Sequence, residues 1–174
     1  MTDRSLSWEC IVDRVAAREL QAFTCTSDFP KTPDGRKLPH PKQWEREAQS
    51  HLRECSKRLK NGDLLLVGRT DDQTIVAAAH LIFDTAPPLM EVHIGCLAVS
   101  VSVRGQGGSV ANEALAVATE LALEQASSSG LDAVLTATIH TKNRPSELLA
   151  ARAGFEPLSV PTNDYQSWAL RLNA

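Results

Sequence analysis

The chain has 174 residues, 43% of them apolar and 22% charged, with a formal net charge of −3. That is the size and balance of one globular domain with a real core, and it argues against bulk electrostatic binding to nucleic acid. No apolar run approaches the ~18 residues of a membrane span, and the opening MTDRSLSWEC has no apolar stretch of the secretory kind. Cys10, Cys25, Cys55 and Cys96 are widely spaced and form no C-x-x-C pair. They read as reduced thiols of a cytoplasmic protein, neither a disulfide frame nor a metal site.

In chain order, Ile11, Val12, Val15, Ala16, Leu20 and Phe23 recur at helical spacing, which predicts a helix over 8–23. Pro30, Pro33, Gly35, Pro39 and Pro41 mark a loop over 26–43. A second helix is expected from about Pro41 to Leu59, closed by Asn61-Gly62. Residues 31–60 carry nine Lys/Arg against four Asp/Glu, a local balance of +5. The plain reading is a solvated helix face; the sharper one is a surface for a phosphate-bearing partner, a CoA ribose phosphate or an RNA.

After Gly62 the pattern changes. Asp63–Arg69 and Thr74–Phe83 read as strands joined by a turn at Asp71-Asp72, and Met90–Val99 as the next strand. Residues 108–128 form an Ala- and Leu-rich helix stopped by Ser127-Ser128-Ser129-Gly130. Leu131–His140 is a buried strand, Arg144–Arg152 a short helix, and 155–160 and 165–172 two last strands. The order ααβββαβαββ predicts one domain, 1–174, of α/β (α+β) class: a mixed, mostly antiparallel sheet of about six to seven strands with helices packed on it. Residues 1–61 would be its helical part and 62–174 its core.

The stretch Leu97–Val110, LAVSVSVRGQGGSV, runs from a strand through Arg104-Gly105-Gln106-Gly107-Gly108-Ser109 into a helix. The first helical N–H groups have no partner inside a helix, and the dipole is positive at that end. Glycines let a phosphate approach the backbone. An anion is therefore expected over 104–109. The stretch lacks the Lys-Ser/Thr of a Walker loop, and Val110 breaks the G-x-G-x-x-G of dinucleotide folds.

What it resembles is the acetyl-CoA loop of the GNAT N-acetyltransferases, [QR]-x-x-G-x-[GA]. Arg104 and Gly107 match, and Ser109 stands where Gly or Ala is usual. A second match lies downstream. Asn143-Arg144-Pro145 opens a helix that Ala153-Gly154-Phe155 closes, resembling N-x-x-A-x-x-x-Y-x-x-x-G-F. The resemblance covers 62–172 and implies the GNAT fold, with acetyl-CoA as co-substrate and a primary amine as acceptor, attacked directly in a ternary complex. It implies that Leu97 N–H faces the thioester carbonyl and Val99 N–H holds the pantetheine arm. Arg104, Gly105, Gln106, Gly107, Gly108, Ser109, Asn143 and Ser146 would bind the rest of CoA. In many relatives the Tyr of the second motif is the acid that protonates the thiolate; this chain has Ala150 there.

For the base, Glu91 and His93 lie two apart on one strand and so share a face. A neutral imidazole suits that role, and a Glu serves through burial or water. The plain reading is a surface charge and a core histidine. His140 and Tyr165 are weaker candidates for catalysis, and Cys96 reads as a packing thiol. Trp8, Trp44 and Trp168 lie in the parts that would shape an acceptor cleft. Three rivals remain: a toxin acetylating aminoacyl-tRNA, a non-catalytic acyl-CoA binder, and a self-associating scaffold. A homodimer is open, and no membrane partner is expected.

Overall fold

The structure is a computed structural model that describes residues 6–105 and 108–172. Its centre is a seven-stranded sheet in the order β1-β2-β3-β4-β5-β7-β6. The strands are β1 (Ser7–Ile11), β2 (Leu64–Arg69), β3 (Ile75–Ala86), β4 (Leu89–Val99), β5 (Asp132–His140), β6 (Glu156–Pro157) and β7 (Tyr165–Leu172). Every pairing is antiparallel except β4 with β5. That parallel pair needs a crossover, supplied by helix α3 (Ser109–Ser128). The helices before it are α1 (Gln43–Arg53) and α2 (Cys55–Arg58); α4 (Arg144–Arg152) follows β5. The mixed, mostly antiparallel sheet predicted from sequence is thus the sheet observed.

Both faces of the sheet are covered. On one face α3 and α4 close over Leu66, Leu81, Val92 and Leu135. Ala114, Ala118, Ala122 and Ala126, four apart, give α3 a stripe of small side chains that lets the helix approach the sheet closely. On the other face α1, α2 and a 3-10 helix (Ala16–Ala22) bury Leu20, Leu52, Leu65 and Val67. Each fully buried leucine contributes about 1.5–3 kcal/mol of transfer free energy. No helix among the described residues is long and apolar enough to cross a membrane.

The N-terminal region departs from expectation. Residues 8–23 do not form one helix, so 1–61 is not wholly helical. Ser7–Ile11 is an edge strand paired antiparallel with β2, and the 3-10 helix follows it. Asp13 Oδ1 accepts the N–H groups of Val15 and Ala16 and starts a turn where the helix was expected to continue. Arg69, nearly buried, then ties both pieces down: its Nε lies 3.0 Å from Glu9 and its Nη2 2.9 Å from Glu19. Val12 and Val15, whose spacing suggested the helix, are exposed. The expected helix over 41–59 is divided near Glu54, and the strand expected over 155–160 is only Glu156–Pro157.

Candidate active site

The site begins with an irregularity in β4. His80 pairs with Cys96 and Leu81 with Ile94, so Gly95 is an extra residue opposite β3. Such a bulge bends and turns a strand. Before it, Met90, Val92 and Ile94 pack beneath α3; after it, Cys96 and Ala98 pack on the α1 side. Leu97 therefore packs against the α3-side core. Pairing of β4 with β5 stops at Ile94↔Ala137. Beyond that point β4 continues beside β3 to Val99, while β5 continues beside β7 to His140. The two strands splay, and residues 95–99 have no ladder partner on the β5 side.

Two adjoining hollows occupy the splay. The larger, about 630 Å³, runs along Leu97–Val99, past Arg104, Gly105, Gly108 and Ser109, to the N-terminus of α4. The smaller, about 240 Å³, lies between the end of β5, α1 and Tyr165. Leu97, Trp44, Asn143, Ser146 and Leu149 line both.

At the outer end of the groove, Gly108 caps α3 in the left-handed region with φ +75°. The first intrahelical bond there is from Asn112 N–H to the Gly108 carbonyl, so the preceding N–H groups lie at the groove end of the helix. Arg104 reaches Glu45 at 2.8 Å, and Lys42 reaches the same carboxylate at 3.3 Å. Burial would raise the Glu45 pKa, but the Thr26 hydroxyl and Arg104 hold it below the usual carboxylate value. Arg144 pairs with Glu147, and Arg152 bonds Asn112. These cations give the groove a positive rim held in place by carboxylates and an amide.

The inner cavity is aromatic and acidic. His140 packs against Trp44, tilted at 37° with centroids 4.7 Å apart, and edge-on against Tyr165, 5.0 Å away. The Tyr165 hydroxyl donates to Glu47. Burial and the Glu47 carboxylate push the phenol up to about 12, so it keeps its proton at neutral pH. His140 Nδ1 accepts the Lys142 N–H at 3.1 Å. Ala150, buried, is in the cavity wall.

His51 is the other imidazole of the wall. Its Nε2 lies 2.9 Å from His80 Nδ1, and His80 Nε2 lies 3.2 Å from Asp63 Oδ2. His80 is 3% exposed and Asp63 6%. Burial first, and His80 next, push the His51 pKa down to about 4. His51, Cys55 and His80 also place possible metal-donor atoms within 4.8 Å of one another, but the two rings are hydrogen-bonded to each other.

The sequence-predicted residues divide into three groups. Leu97, Val99, Arg104, Gly105, Gly108, Ser109, Asn143 and Ser146 all line the groove. Gln106 and Gly107 lie outside the described residues. Glu91 and His93 do share a face and are joined through Thr136, whose hydroxyl donates to Glu91 at 2.8 Å and lies 2.9 Å from His93 Nδ1. Neither is among the lining residues of either hollow. Burial lowers the His93 pKa against the opposing pull of Glu91. The Cys96 thiol is pushed up by burial and reaches the Ala48 carbonyl at 3.7 Å, as a packing thiol would. Sequence reading missed Glu47, His51, Asp63 and His80. The signals were a four-residue spacing, Glu47 to His51, on the expected second helix, and a lone histidine inside the apolar run TIVAAAHLIF.

No protein-family model matches the chain, and no curated protein matches it in sequence. Solved structures do match. Mutant forms of the spermidine/spermine N-acetyltransferase SpeG from Vibrio cholerae align with TM-score 0.59 at 12% identity, over 96% of this chain and 95% of that one. An acetyltransferase of the GNAT family from Streptococcus pneumoniae aligns with TM-score 0.56 at 17% identity, over 97% and 100%. AtaTR, solved bound with AcCoA, aligns with TM-score 0.62 at 16% identity, over 98% and 94%. The chain has the GNAT fold. At these identities the likeness is one of architecture, and chemistry has to be argued from the site. In this GNAT fold the splayed pair is β4 and β5, and Gly95 supplies the bulge at which they part.

Proposed function

We propose that the chain is an N-acetyltransferase that moves an acetyl group from acetyl-CoA to a primary amine by direct attack in a ternary complex. The observation that carries this is that the two hollows adjoin at Leu97, which lines both. A phosphate-sized anion site at the α3 N-terminus leads along an unpaired strand edge into an aromatic, acidic cavity. The pyrophosphate sits at Gly105, Gly108 and Ser109 with Arg104 beside it. Pantetheine runs along β4, held by Val99 N–H, and Leu97 N–H takes the charge that develops on the thioester oxygen. Asn143 and Ser146 flank the arm at α4. Glu47, Trp44 and Tyr165 receive the acceptor: a carboxylate and ring faces suit an ammonium group in equilibrium with its neutral amine.

Ala150 favours one other reading, an acyl-CoA binder without turnover, because the phenol of the resembled motif is missing. Release of CoA thiol from acetyl-CoA separates the two. Amine-dependent release above the rate of hydrolysis is expected with aliphatic or aryl primary amines. Tight acetyl-CoA binding with no release on any amine would establish the binder instead.

A further inference from the structure

We propose that Asp63, His80 and His51 form a buried relay that takes the proton from the acceptor amine. This rests on the acetyl-transfer reading and assigns the base that reading requires. Glu91 and His93 do not line the cavity, whereas His51 does. Of the two cavity imidazoles, His140 already uses its Nδ1 lone pair on Lys142 N–H. In neutral His140 the proton is then on Nε2, which makes that atom a donor.

The relay fixes the opposite arrangement at His51. An ionised Asp63 accepts only, so His80 carries its proton on Nε2 and points it at Asp63. His80 Nδ1 is then a lone pair and accepts His51 Nε2–H. His51 Nδ1 is left as a lone pair with no hydrogen bond to any described residue. Gly95 lies beside the two rings and lines the same cavity: a Cβ there would stand 3.7 Å from His51 Cε1 and 3.6 Å from His80 Nδ1, at ordinary contact distance. The groups around His51 are His80 on β3, His93 on β4, Glu54 between α1 and α2, and Cys55 and Arg58 on α2. With its pKa pushed down to about 4, His51 is neutral, and its lone pair is present throughout the physiological range.

The amine nitrogen attacks the thioester carbonyl carbon, the C–N bond forms and the C–S bond breaks. CoA leaves as thiolate. The nitrogen's extra proton passes to His51 Nδ1, His51 Nε2–H moves toward His80 Nδ1, and the charge formed faces Asp63. The relay then gives this proton up to water, and the thiolate takes one from water, so no proton is gained or lost overall. His51 is the catalytic residue; His80 and Asp63 are positioning residues.

The test uses the full chain, acetyl-CoA, and a panel of primary amines that includes spermidine, read by thiol release and by calorimetry. His51→Gln is expected to lower kcat at least about a hundredfold at neutral pH, within the range for loss of a general base. Asp63→Asn should lower it at least about tenfold. The KM for acetyl-CoA should stay within about twofold in both, because neither residue lines the CoA groove. The deficit should shrink as pH rises, because hydroxide and buffer base then take the extra proton that the variant cannot accept. A purely structural role would leave the deficit constant with pH, and that result would overturn the relay. Turnover of His51→Gln within about twofold of the parent would overturn it too, with acetyl transfer itself intact. If Asp63→Asn fails to bind acetyl-CoA, His51→Gln alone decides. A parent chain that neither binds nor turns over acetyl-CoA removes the acetyl-transfer reading, and the relay falls with it.

Discussion

Gly108→Glu is expected to weaken acetyl-CoA binding at least about a hundredfold, or about 2.7 kcal/mol. Gly108 is the cap of α3 and lines the groove. A Cβ built on it meets no atom of a described residue within 4 Å, so the new side chain starts in open space. Its carboxylate would occupy the positive end of the helix dipole, where the phosphates are to sit, and would repel them. Backbone strain is a separate cost, because φ is +75°. Gly108→Asn separates the two effects. Asparagine tolerates the left-handed region and brings no charge, so its affinity should stay within about tenfold of the parent. Calorimetric titration reads both variants. An unchanged affinity in the glutamate variant would mean that the phosphates bind elsewhere.

Leu135→Ala should cost about 2–5 kcal/mol of stability, the range for a fully buried leucine. Leu135 is 0% exposed, in the middle of β5, opposite Val92 on one side and Leu170 on the other. At this chain length each kcal/mol moves Tm by about 2–4 °C, so a fall of about 5–20 °C is expected by thermal unfolding. The residue lies in the paired part of β4–β5, before the splay. Acetyl-CoA affinity well below the new Tm should therefore be retained. A fall of less than about 3 °C would mean that the core there collapses around the cavity.

The anion end of the site was legible because it is local. One strand, one glycine loop and one helix start carry it in a single run of sequence, and each element forms for reasons contained in that run. The second motif was legible for the same reason: α4 spans Arg144–Arg152, as its Pro and Gly punctuation predicts. The N-terminal strand was not, because what holds it is distant. Ser7 pairs with Arg69, and Arg69 binds Glu9 and Glu19. Local spacing of Val12 and Val15 pointed to a helix face, yet both side chains face water.

The inner cavity was hidden for a related reason. Trp44 and His51 come from α1, His140 from β5 and Tyr165 from β7, and only the folded sheet brings them together. Alternation along β4 carries only as far as the bulge. Glu91 and His93 do share a face, but at Gly95 the faces turn over before the strand reaches Leu97. Gly95 itself was the available signal, since a glycine inside a strand often marks a bulge.

Calorimetric titration of the purified chain with acetyl-CoA and with CoA tests most directly whether the groove along β4 is an acetyl-CoA site. Binding of both at micromolar strength or better, about −8 kcal/mol, with one site per chain, is the predicted result. Absence of heat and of any Tm shift with either ligand at millimolar concentration would contradict it.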